Sequence, residues 1–128
     1  MSIRNPYPTA RACRLVGVDP APAATYALID DVPSHVLIDL IKIGAAERSE
    51  AQNDGPSIGD LLKFFRSVRG EVLYFGYIVL PPRPDCRVTI SGFVFTAANT
   101  ADREKVINRF HDADEFNVVR GKIRAWWD

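Results

Sequence analysis

Two ten-residue runs constrain this chain more than anything else in it. They are Glu71-Val-Leu-Tyr-Phe-Gly-Tyr-Ile-Val-Leu80 and Cys86-Arg-Val-Thr-Ile-Ser-Gly-Phe-Val-Phe95, separated by Pro81-Pro-Arg-Pro-Asp85. Both runs are rich in β-branched and aromatic residues, and the segment between them is rich in turn formers. The pattern predicts one long β-hairpin. A hairpin is marginal alone and needs further strands or helices on one face, so the rest of the chain must supply them.

The alternation predicts a register. Leu80 opposes Cys86, Ile78 opposes Val88, Gly76 opposes Ile90, Tyr74 opposes Gly92 and Val72 opposes Val94, all on one face. That face is apolar, and each glycine has a large residue across from it, which shields bare backbone. It is the expected core face. The opposite face pairs Val79 with Arg87, Tyr77 with Thr89, Phe75 with Ser91 and Leu73 with Phe93. A one-sided antiparallel sheet has a polar wet face. This one keeps its aromatics, so it is expected to be covered by a helix, a second subunit or a ligand.

The remaining segments read as follows. Residues 1–9 are a loosely held arm. Ala10 to Val18 alternates and predicts a strand, ended by Asp19-Pro-Ala-Pro22. Thr25 to Ile29 is a second short strand. A long helix is expected from about Pro33 to about Gln52, with Asp31 as its cap and the proline in its first turn. Ser57-Ile-Gly-Asp60 is a variant capping box that opens a short helix ending at Gly70. Asn99 to Asp102 opens a third helix with Val106, Ile107 and Phe110 inward. Glu115 to Trp127 is expected to be a fourth helix, weakened by Gly121. The order β-β-α-α-β-β-α-α predicts one α+β domain over 1–128. It should hold a largely antiparallel sheet of about four strands, with helices mainly on one face.

Composition narrows the function classes. Lys plus Arg and Asp plus Glu are 16 each, so the net charge is zero, which argues against nucleic-acid binding. No apolar run approaches membrane-spanning length, and Met1 to Pro8 lacks the apolar core of a signal peptide. A cytoplasmic location is expected, with Cys13 and Cys86 as reduced, buried residues.

Motif chemistry is thin. The phosphate-binding, dinucleotide-binding and nucleophile-elbow motifs are absent, as is Cys-x-x-Cys. His35 beside Asp31, and His111 beside Asp112, are the candidate acid–base pairs. Asp112-Ala-Asp114 begins like a calcium loop but lacks its glycine and closing carboxylate, so no metal is expected. No cofactor is expected either. Arg83 to Asp85 is a candidate recognition tip. Trp126 and Trp127, as neighbours, cannot both bury against one surface.

The residues expected at a ligand site or interface are Phe75, Tyr77, Arg87, Thr89, Ser91, Phe93, Trp126 and Trp127. They predict a non-enzymatic binding or protein-interaction module, homodimeric through its aromatic sheet face. The competing expectation is a small-molecule binder or small metal-independent enzyme. It would use a His/Asp pair in a pocket between sheet and helices.

Overall fold

The computed structural model describes residues 9–18, 26–52, 54–80 and 87–127. Its elements are α1 (Thr9–Val16), β1 (Tyr26–Pro33), α2 (Ser34–Lys42), α3 (Ile58–Phe65), β2 (Gly70–Val79), β3 (Val88–Ala97), α4 (Thr100–Phe110), β4 (Glu115–Val119) and β5 (Lys122–Trp126). The fold is α+β. Five strands form one antiparallel sheet in the order β1-β2-β3-β5-β4.

The hairpin pairs as expected near its tip and differs beyond it. Ile78 faces Val88, Tyr77 faces Thr89 and Gly76 faces Ile90. A bulge then places Phe75 opposite Gly92 and Tyr74 opposite Phe93, with Ser91 as the extra residue. One added residue moves every later side chain of β3 to the other face. Phe93 and Phe95, expected outside, therefore point into the core and are fully buried, while Val94 turns outward. Strict alternation carries no signal for an inserted residue, so the sequence pattern alone continues the wrong register. The turn at 81–85 and Cys86 lie outside the described residues.

Further expectations are corrected. The segment 10–18 is helix α1, not a strand. Ala10, Arg11, Ala12, Arg14 and Leu15 favour helix, and Ala12 and Cys13 bury its inner side. Gly17 ends it at φ 73, with the Val18 N–H donating to the Cys13 carbonyl. The helix after Pro33 stops at Lys42, ten residues earlier than Gln52. Gly44 adopts φ 83, and the N–H groups of Gly44 and Ala45 donate to the carbonyls of Ile41 and Leu40. That is a Schellman ending, which only a residue tolerant of positive φ completes. Asp31 is not its cap. Pro33 occupies the N-cap without a side-chain hydrogen bond, and Asp31 belongs to β1.

The last segment is a hairpin, β4–β5, rather than a helix. Val119 pairs with Lys122 across Arg120 and Gly121, which have φ 53 and 78. Positive φ at both central residues is the requirement of a type I′ turn, whose twist suits a two-residue hairpin. The alternation from Phe116 to Trp126 was therefore strand periodicity.

The expected caps of the other helices are present. Ser57 accepts the Asp60 N–H at 3.1 Å and Asn99 accepts the Asp102 N–H at 2.7 Å. The helices supply side chains to a single core against the inner face of the sheet. Phe65 of α3 is its hub, its ring meeting Tyr74, Phe93, Phe95 and Phe110 at centroid distances of 4.8 to 6.1 Å. The contacts with Tyr74 and Phe93 are edge-on, that with Phe95 is tilted and that with Phe110 is stacked. Trp127 packs on Phe93 and Phe110 and is also buried. No described helix is long and apolar enough to cross a membrane.

Candidate functional site

The outer face of the sheet holds a groove of about 650 Å³. Its floor is Leu73, Phe75 and Tyr77 of β2 with Ser91 and Val94 of β3. Leu28, Asp30 and Asp31 of β1 form one rim, and Arg124 and Trp126 of β5 form the other. Gln52 and Trp127 close an end.

Each wall has a local cause. In β1 a bulge between Ile29 and Val32 turns two successive aspartates to the same groove. Asp31 takes φ 51 there, a conformation that aspartate tolerates better than most residues. On the floor, Phe75 lies over Gly92. A Cβ on Gly92 would collide with the Phe75 ring and the Ala125 carbonyl oxygen, so glycine is required where the ring descends onto the backbone. Arg124 then covers Phe75, with its guanidinium carbon 4.7 Å from the ring centroid and 5.9 Å from that of Trp126. Its second contact is Glu115 of β4, at 3.9 Å, and both side chains are well exposed. A long ion pair in water is weak, so the cation remains open toward the groove.

The sequence-expected residues divide into two groups. Phe75, Tyr77, Ser91, Trp126 and Trp127 meet in the groove. Tyr77 is also packed edge-on against Tyr26, at 6.3 Å. The other three do not reach it. Phe93 is in the core because of the bulge. Thr89 is buried and donates to Glu50 Oε1 at 2.6 Å. Arg87 lies 3.6 Å from Glu50 Oε2. Glu50 belongs to the segment after α2, which is held to β3 by the Val88 N–H donating to the Ala45 carbonyl. These polar groups thus fasten the α2–α3 connection to β3.

Leu28, Asp30 and Arg124 were not anticipated. The signal for Arg124 was present in the Lys122-Ile-Arg-Ala-Trp126 alternation, which a helical reading hides. Leu28 is 78% exposed and Tyr26 is 56% exposed, both at the edge of the same face. Both add exposed apolar surface to the rim of the groove.

The histidines are elsewhere. His35 lies exposed in the first turn of α2, and His111 is exposed at the C-terminal cap of α4. Asp112 lines a smaller recess of about 330 Å³ with Asp54, Asp114, Arg109 and Trp127. The structure therefore sets Asp31 in the groove and leaves both histidines outside it. Among the described residues no three His, Cys, Asp or Glu side chains are grouped to hold a metal ion. Tyr74, near Ser34, has its phenol pushed up to about 12 by burial, with the Ser34 hydroxyl opposing the shift, so it stays protonated at neutral pH. No protein-family model, curated protein or solved structure matches this chain.

Proposed function

We propose that this protein is a non-enzymatic interaction module that forms a homodimer through the outer face of its sheet. One observation carries the reading. The described helices pack on the inner face, while Tyr26, Leu28, Phe75, Tyr77 and Trp126 share a face that no described element covers. Apolar side chains aligned in this way are stabilised by removal from water at roughly 25 cal/mol per Å², and a facing sheet removes many together. Strands of five to ten residues, at about 3.3 Å rise and 4.8 Å spacing, make a face of roughly 600 Å² before side-chain relief. A standard interface uses about 800 Å² per partner, so most of this face would be engaged.

A second reading has its own support. The groove volume falls within the range of small-molecule sites, and Arg124 stacked on Phe75 offers a cation beside an aromatic wall. An anionic aromatic compound is the ligand class that arrangement suits.

Sedimentation equilibrium separates these readings. The homodimer reading expects twice the chain mass of 14.3 kDa. It expects Tyr77→Glu to weaken the dimer by roughly thirtyfold or more, an aromatic hot-spot loss of about 2 kcal/mol, with an unchanged circular dichroism spectrum. A monomer at every concentration removes the homodimer and leaves the ligand reading.

A further inference from the structure

We infer that the two copies meet about a two-fold axis running parallel to the strands, so that Asp30 and Asp31 of each face Arg124 of the partner subunit. The inference rests on the homodimer reading and specifies its geometry.

The groove face carries its charges asymmetrically. Asp30 and Asp31 stand on the β1 rim, and Arg124 stands on the β5 rim. β2 and β3 lie between them, so the rims are three strand spacings apart, roughly 15 Å. Asp30 and Asp31 fall in the β1 bulge beside Phe75, and Phase matching across the sheet runs from Phe75 to Gly92 to Trp126. Arg124 is two residues from Trp126, and its guanidinium reaches back over Phe75. The acidic and basic groups therefore lie at nearly the same height along the strands.

Two sheets packed face to face are related by a two-fold axis lying in the plane between them. An axis perpendicular to the strands would set each β1 rim over the other β1 rim, bringing four carboxylates together. An axis parallel to the strands exchanges the rims, setting β1 over β5 in both halves. Like charges set against one another oppose association and opposite charges fix register, so charge selects the parallel axis. Aligned sheets cross at about 30°, which keeps both rims in reach. The exchange also brings the protruding Leu28 of each copy toward the Trp126 rim of the other groove. Every contact occurs twice, as an isologous interface requires.

This geometry makes a specific pair of variants diagnostic. Asp30→Lys alone sets two cations against each other at both rims, and Arg124→Glu alone sets two sets of anions together. Each variant is expected to weaken its homodimer by about tenfold or more. Mixing them pairs Lys with Glu at one rim and leaves Arg with Asp at the other, so the mixture is expected to form a heterodimer within about threefold of the wild-type affinity. Circular dichroism of each variant confirms folding. Should either variant fail to fold, the wild type supplies the readout. Its dissociation constant should rise at about 1 M salt, where the screening length falls to about 3 Å. A dimer broken by Tyr77→Glu but unaffected by both charge variants overturns this inference and leaves the homodimer reading intact. Failure of the mixture to recover association also overturns it. A wild type that is monomeric throughout overturns both.

Discussion

Phe75 shows how much one residue settles here. It fills the bare backbone over Gly92, supports Arg124 on its other side and forms part of the groove floor. The idea that a strand glycine needs an aromatic across from it was legible in the sequence. The partner was not, because the bulge at Ser91 replaces Tyr74 by Phe75. Asp102, in the first turn of α4, is the matching case. Its carboxylate accepts from the Asn99 side-chain amide at 2.9 Å and from the Arg69 N–H at 3.1 Å, with Lys105 at 3.7 Å. The Asn99 bond first and the Arg69 bond second hold its pKa below the ordinary value, against the opposing effect of burial. The sign follows. A folded-state pKa below the unfolded one gives stability that is present above about pH 4 and lost as pH falls through the folded value. Asp102→Asn is therefore expected to be less stable than wild type at neutral pH, with the gap closing below about pH 4. Urea unfolding across that range measures it. A gap that stays constant with pH would contradict the assignment. The Asn99 and Ser57 caps were readable in the sequence because capping depends on neighbours three residues apart.

At the level of elements, what escaped the sequence pattern were endings and insertions. Gly17 and Gly44 end helices by adopting positive φ, and the β1 and β3 bulges each add a residue to a strand. Periodicity detects the body of an element and is silent about both. The β4–β5 hairpin is a different failure. Five-residue strands joined by a two-residue turn span too few repeats for periods of 2 and 3.6 to separate clearly, and Arg120-Gly121 lacks the Asn-Gly or Asp-Gly signature of a type I′ turn. Gly121 at φ 78 is the residue that decides it, and nothing lies within 4 Å of the place a Cβ would occupy. A substitution there tests backbone conformation alone. Gly121→Val is expected to cost about 1–2 kcal/mol, and Gly121→Asn distinctly less, because asparagine visits this region far more readily. Equal unfolding free energies for the two variants would contradict the turn assignment.

For the molecule as a whole, the α+β class followed from the sequence, although the expected order β-β-α-α-β-β-α-α becomes α-β-α-α-β-β-α-β-β, with five strands rather than about four. So did two aromatics of the second sheet face, Phe75 and Tyr77, which line the groove, whereas the bulge takes Phe93 and Phe95 into the core. The charged rims did not, because Asp30 and Arg124 lie far apart in the chain and are brought to one face only by the order β1-β2-β3-β5. The central claim is that this outer face is covered when the protein is at work. Hydroxyl-radical footprinting of the intact chain, dilute and concentrated, tests it most directly. Leu28, Phe75, Tyr77 and Trp126 are expected to lose reactivity together as concentration rises, while Leu15, exposed on α1, keeps its own. Unchanged reactivity of the four groove residues at every concentration, or protection confined to Leu15, would contradict it.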